Sequence, residues 1–201
     1  MITRITDRIT QPGQDRLPHI VNVCLGGQSA DFLELGGSID AVKIEPAVLQ
    51  DAEELLALQR LAYQSEAELY GDKFLSPLSQ TLSEIREDMK KWYFLKALSG
   101  RKIVGSVRAY MEGSTCHIGR LCTHPGYQGR GIGRKLMETI EAHFSQAGSY
   151  QTFAGHKSFR NIFFHQKLGY NITKTEKVNE LRSRVYMEKA VRKEQHAAEN
   201  H

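Results

Sequence analysis

The stretch QGRGIGR, residues 128–134, sets three glycines at alternate positions between two arginines, and Lys135 follows at once. A glycine inside a helix costs about 1 kcal/mol relative to alanine, so such density is expensive as structure alone. Phosphate chemistry supplies a reason for it. Without side chains at Gly129, Gly131 and Gly133, backbone N–H groups can touch an anion, and a helix starting there adds unpaired amides and a positive dipole end. Gln128 and Ile132 complete the loop, while Arg130, Arg134 or Lys135 can balance remaining negative charge. A Walker A loop would need Lys-Ser/Thr after the glycines, and none follows. A dinucleotide fingerprint would need GxGxxG after an early parallel strand, whereas the spacing here is GxGxG. Gln/Arg-x-x-Gly-x-Gly/Ala is a third pattern, and Gln128, Gly131 and Gly133 match it. A flexible loop that binds nothing is the plain alternative.

Other reactive groups lie nearby. Cys116, His117, Cys122 and His124 crowd into nine residues, yet their spacing fits no common zinc site, so no metal is expected. Cys122 has no evident base beside it, and packing within a strand explains it better than a covalent role. Trp92 and its aromatic neighbours read as sheet core.

The elements around these residues follow from periodicity and turn chemistry. AVKIEP reads as a strand stopped by Pro46. Asp51 with Glu54, and Thr81 with Glu84, resemble capping boxes opening two helices, with apolar stripes Leu55, Leu58, Ala62 and Leu82, Ile85, Met89. WYFLKAL, KIVGSVRAYM and CHIGRLCT form three strands joined by Ser-Gly and Glu-Gly turns. The glycine loop then opens a helix carrying Ile132, Leu136, Ile140 and Phe144. YQTFAG leads to a helix begun by Ser158 and stopped at Gly169, and strands near YNITKTE and SRVYMEK finish the domain. The order β-α-α-β-β-β-α-β-α-β-β implies an α/β sandwich around a mixed, mostly antiparallel twisted sheet.

Residues 1–40 carry Pro12, Pro18 and two Gly-Gly pairs without a sustained period; they read as a weakly structured extension with a short strand at 20–25. Residues 41–190 hold the domain, and 191–201 are a polar tail. The 201 residues are 40% hydrophobic and 25% charged, the mean hydropathy is −0.44, and no run approaches the roughly 18 apolar residues of a membrane helix. No membrane partner is expected. The amino terminus lacks a signal-type apolar core, and Cys24, Cys116 and Cys122 are odd in number without CxxC spacing, which suits reduced thiols in a cytoplasm. A formal charge of +4, without a basic helix, argues for an anionic small molecule rather than nucleic acid. A homodimer is left open.

At this point the sequence resembles the GNAT superfamily of acyl-CoA-dependent N-acyltransferases, over about residues 41–190. IGRLCTHPGYQGRGIGRKLM is similar to that family's strand, pyrophosphate loop and helix, and GHKSFRNIFFHQKLGY to its later coenzyme-lining segment. The resemblance implies a GNAT-type fold, acetyl-CoA as cosubstrate and a primary amine of a small molecule or protein as acceptor, with direct acetyl transfer. It further implies that Leu121, Cys122 and Thr123 pair their backbone with the pantetheine arm. Gln128, Gly129, Arg130, Gly131, Ile132, Gly133 and Arg134 would hold the pyrophosphate. Asn161 would bond the arm, and Phe164 and His165 would lie near the thioester sulfur.

Such a reaction needs a neutral amine, a polarised carbonyl and a stabilised leaving thiolate. A backbone N–H near Cys122 is the candidate oxyanion donor. His117, on the strand leading to the thioester, is the candidate base; an ordinary strand histidine facing solvent is its bland reading. Glu66, Glu68 and Asp72 lie where the family closes over the acceptor, and either attract a cationic amine or are solvated surface. One departure stands out: His165 occupies the place where many members carry Tyr. As an imidazolium with a pKa near 6.5, raised by an anionic coenzyme, it would donate to the thiolate. The same departure keeps alive an acyl-CoA-binding regulatory module with little catalysis.

Overall fold

The computed structural model describes residues 42–71 and 75–191. The expected extension with its strand at 20–25, Asp72, and the tail beyond Val191 lie outside the described residues. Strand β1 (Lys43–Pro46) pairs antiparallel with β2 (Tyr93–Ser99), which pairs with β3 (Lys102–Glu112), which pairs with β4 (Thr115–Thr123). β4 then runs parallel to β5 (Ser149–Gly155). The sheet closes with β7 (Ser183–Ala190) between β5 and β6 (Asn171–Lys177), in the order β1-β2-β3-β4-β5-β7-β6. The expected mixed, mostly antiparallel sheet is what forms.

Alternation along the strands sends neighbouring residues to opposite faces. Leu95, Ala97, Val104, Val107 and Ala109 face Ile132, Leu136, Met137 and Ile140 of α4 (Ile132–His143). Phe94 and Ile103 face the other way, against Leu55, Leu56 and Leu58 of α1 (Ala52–Tyr70) and Ile85 of α3 (Leu82–Lys91). Burying each Val, Leu, Ile, Met or Phe among these contributes about 1.5–3 kcal/mol, so the two cores lock helices to both faces. Gly105 sets how closely α4 approaches. A Cβ there would lie 2.9 Å from Ile132 Cγ2 and 3.0 Å from Leu136 Cδ1.

The helix starts at Asp51 and Ser158 fall where expected, but without the side-chain caps. Thr81 and Glu84 do form a capping box, with Glu84 N–H donating to Thr81 Oγ1 at 3.2 Å and Thr81 N–H to Glu84 Oε2 at 2.7 Å. Asp51 and Glu54 do not. Asp51 instead accepts from Val48 N–H at 2.8 Å and pairs with Lys96 at 2.8 Å, while Glu54 accepts from Ile103 N–H at 2.7 Å. Those carboxylates tie α1 to the sheet rather than cap it. Ser158 precedes α5 (Phe159–Lys167) without a capping hydrogen bond, because its hydroxyl is used elsewhere. A one-turn helix, α2 (Ser76–Ser79), occupies part of the expected loop; one turn is too short to leave a periodic signal. Trp92, at the C-terminal cap of α3, packs half-buried against the core on the α1 face of the sheet, as expected, with Tyr110 stacked at 5.0 Å.

Candidate functional site

β4 and β5 pair only from Thr115 to His117 against Ser149 to Gln151. Beyond that β4 continues to Thr123 beside β3, and β5 to Gly155 beside β7, with no further pairing between them. The two parallel strands therefore splay into a wedge, leaving β4 backbone groups past His117 without a strand partner on that side. A bulge deepens it: Ser106 faces Cys122 and Arg108 faces Gly119, so Arg120 and Leu121 stand opposite one residue of β3. Arg120 takes a φ of +54°, a left-handed conformation that costs a non-glycine residue about 1 kcal/mol or more.

The glycine loop lies where β4 ends. Gly129 and Gly131 have φ of +75° and +79°, which explains two of the three glycines by backbone geometry. Gly131 is the N-cap residue of α4 and supplies no side-chain cap; the first intrahelical bond runs from Lys135 N–H to Gly131 O at 3.0 Å. The N–H groups of Ile132, Gly133 and Arg134 thus open outward at the positive end of a twelve-residue helix. A Cβ on Gly133 would meet only Phe164 at 3.5 Å and Thr123 Oγ1 at 3.9 Å, so the protein alone does not require glycine there. Its bareness keeps a surface open between α4, α5 and β4. Gln128 Nε2 donates to Thr123 O at 3.3 Å and holds the loop against the strand end. The Arg130 guanidinium lies 5.2 Å from the Tyr127 ring, and exposed Arg134 is only loosely paired with Glu138 at 3.6 Å.

Residues named from the second motif come together on α5. Glu66 of α1 accepts from Ser158 Oγ at 2.5 Å and Asn161 Nδ2 at 3.0 Å, and Asn161 Nδ2 also donates to Ser158 Oγ at 2.7 Å. Glu66 is therefore neither plain solvated surface nor a vacant carboxylate, and the Asn161 amide nitrogen is spent on Glu66 and Ser158. Tyr70 ends α1 over Gly155, where no Cβ would fit beneath its hydroxyl, and accepts from Lys157 N–H at 2.7 Å. These contacts clasp α1 to the far lip of the wedge.

His165 lies beside Phe164 and Tyr170, 6% exposed, and its Nδ1 has no hydrogen-bond partner among the described residues. Burial pushes its pKa down to about 4. The expected imidazolium is thus corrected to a neutral ring, because desolvation of the charged form dominates at this position. His117 is the last β4 residue paired with β5, and it faces away from α4: it stacks on Tyr110 at 5.0 Å, with Nε2 3.1 Å from exposed Glu112. Cys122 is buried on the α1 face, and its thiol is pushed up to about 12 by burial, so it stays protonated. Cys116 packs on the α4 face, which separates the two thiols across the sheet. Among the described residues no cluster of three or more His, Cys, Asp or Glu is set to hold a metal, and no helix is long and apolar enough to cross a membrane.

Three side chains escaped the sequence reading. Tyr63 of α1, its hydroxyl pushed up to about 12 chiefly by burial, lies within electrostatic reach of Cys122, Arg120, Glu66 and Arg108. Buried Arg108 pairs with Asp88 at 2.5 Å and lies 3.6 Å over Trp92. Arg120 donates to Ser76 Oγ of α2 at 2.6 Å. Tyr63 and Arg108 lie outside the two segments that carry the resemblance, Arg120 lies in one without a role there, and only the packing of α1, α2 and α3 on β3 and β4 joins them.

Comparison with known proteins agrees with this geometry. No curated protein matches the chain. An acetyltransferase of the GNAT family from Streptococcus pneumoniae superimposes with a TM-score of 0.59 at 17% identity, covering 75% of this chain and 99% of that one. PaiA N-acetyltransferase from Thermoplasma acidophilum, solved in complex with coenzyme A, gives 0.58 at 18% identity over 75% and 99%. The ribosomal-protein-S18-alanine N-acetyltransferase from Escherichia coli gives 0.58 at 12% identity over 77% and 97%. At such identities the likeness is one of fold. The model of the Acetyltransferase (GNAT) family matches residues 53–170, more than half of the chain, and this protein belongs to that family.

Proposed function

We propose that the chain transfers an acetyl group from acetyl-CoA directly to a primary amine. The observation that carries this reading is the β4–β5 wedge opening onto the bare amino terminus of α4, with Gly129 and Gly131 in left-handed conformations. That cradle fits a pyrophosphate: the amides of Ile132, Gly133 and Arg134 would hold it, with Gln128, Arg130 and Arg134 around it. The stretch Leu121, Cys122 and Thr123 would accept the pantetheine arm as an added strand, through the Leu121 and Thr123 backbone groups that face away from β3, and Asn161 would bond it from α5. Acetyl-CoA supplies an activated thioester, so the protein's task is placement and charge control.

On the β4 side, a backbone N–H near Cys122 would donate to the thioester carbonyl oxygen where negative charge develops. His117, steadied by Glu112, would take the ammonium proton, through water where needed. His165 is neutral and would donate a ring N–H to the departing sulfur without carrying charge. Protonated Cys122, with no base beside it, supports direct transfer over an acyl-enzyme.

Coenzyme release against a broad amine panel tests the reading. Acetyl-dependent release with at least one amine is expected. Acetyl-CoA binding with no release above background on any amine would contradict catalysis and leave a coenzyme-binding module.

A further inference from the structure

The face of the wedge away from α4 carries cations that the acetyl-transfer chemistry leaves unused. Arg120 stands at the bulge in a left-handed conformation, and its guanidinium reaches Ser76 Oγ at 2.6 Å. Among the described residues no carboxylate lies within ion-pair distance of it. Arg108, 6% exposed, takes the local carboxylate, Asp88, and still keeps a buried Nε without a hydrogen-bond partner. Like charges add to this: Arg108 and Arg120 repel each other, and Arg184 on β7 repels Arg120 from across the gap. The other nearby carboxylate, Glu66, is engaged by Ser158 and Asn161. A buried guanidinium beside a half-buried one, with one carboxylate for the two, is costly unless an anion joins them.

Direction matters as much as charge. Thr123, Gly133 and Phe164 meet on the α4–α5 side, where the coenzyme cradle lies. Arg120 reaches instead to α2, within the field of Tyr63 on α1 and of Cys122, whose side chain packs against that helix layer. An acceptor arriving from this side would meet Arg120 just as its amine reached the bulge.

We propose that the acceptor is an amine that also carries an anionic group, a carboxylate or a phosphate, bound by the Arg120 guanidinium. The inference rests on the acetyltransferase reading above. A guanidinium offers a planar fork that matches either anion with paired hydrogen bonds. Ser76 would hold that fork in place while no substrate is bound.

The test compares kcat/KM for four matched acceptors: a straight-chain amino acid, its carboxamide, the diamine of equal length and an aminoalkyl phosphate. The native chain should favour an anionic acceptor over the carboxamide and the diamine by tenfold or more. The better of the two anions identifies the group. Arg120→Gln should bring that ratio within about threefold, mainly through KM, with acetyl-CoA affinity by calorimetry unchanged. Ser76→Ala, which removes only the hydrogen bond, should keep the preference. Neutral amines used as readily as anionic ones, a preference that survives Arg120→Gln, or an equal loss in Ser76→Ala would overturn the inference while leaving the transferase intact. A native chain that binds no acetyl-CoA would overturn both.

Discussion

The two sides of the β4–β5 wedge are built in different ways. On the α4 side, the cradle is local: β4, Gln128, the glycines and the first turn of α4 are consecutive, and the role proposed for them depends on backbone groups. On the α1 side, Tyr63, Ser76, Asp88, Arg108 and Arg120 come from five separate elements and work through side chains. A local backbone device carries its own sequence signature, whereas a side-chain cluster acquires meaning only once tertiary packing has joined its parts. The coenzyme side should therefore break through single backbone changes, and the acceptor side through loss of particular side-chain groups.

The largest effect is expected in the cradle. Gly131→Glu adds a charge and a side chain where an anion would approach, and should weaken acetyl-CoA binding about 100-fold or more by calorimetry. Because Gly131 has a φ of +79°, Gly131→Asn serves as the control, since asparagine tolerates the left-handed region. It should fold and bind within about tenfold of the native chain. Unchanged affinity in a folded Gly131→Glu protein would remove the pyrophosphate assignment.

Next comes His165, which belongs to the coenzyme side but depends on burial. Its folded pKa of about 4 lies below the ordinary 6.5, so the unfolded chain binds the extra proton first on acidification. Stability from this group is whole above pH 6.5 and falls as pH drops toward 4, with a loss of roughly 2 kcal/mol by pH 5. Urea midpoints at pH 7 and pH 5 measure it. His165→Phe should flatten the difference, and an equal acid loss in that variant would show that another group titrates. A kinetic limb between pH 6 and 8 that His165→Phe abolishes would contradict the neutral ring.

The smallest effect lies outside both sides. Thr81→Ala removes the capping box of α3 and should cost about 1 kcal/mol in denaturant unfolding. Acetyl-CoA affinity should not change, because α3 packs against Phe94 and Ile103 on the face away from the cradle. A parallel loss of coenzyme binding would mean that the two faces are not independent.

How far the sequence was legible follows the same division. Helix periodicity, Gly turns and alternation recovered the element order apart from the one-turn α2, because each is a short-range signal. The glycine loop was legible for the same reason. The capping reading of Asp51 and Glu54 failed because Lys96 and Ile103, more than forty residues away in the chain, compete for those carboxylates. The charge state of His165 was hidden because burial is a property of the packed core, and nothing in FFHQKLGY announces that its ring lies against Tyr170. Arg120 on β4 carries no local signal because its neighbours Ser76 and Tyr63 belong to helices far from it in the chain. Its φ of +54° arises only when β4 bulges against β3.

Amide hydrogen exchange with and without acetyl-CoA tests the central claim most directly, since it reads the backbone that the wedge leaves unpaired. Saturating coenzyme should slow exchange at Leu121, Thr123, Ile132, Gly133 and Arg134 by tenfold or more, and leave α3 and β6 unchanged. Binding that protects other segments while those five amides exchange at their original rates would contradict the account.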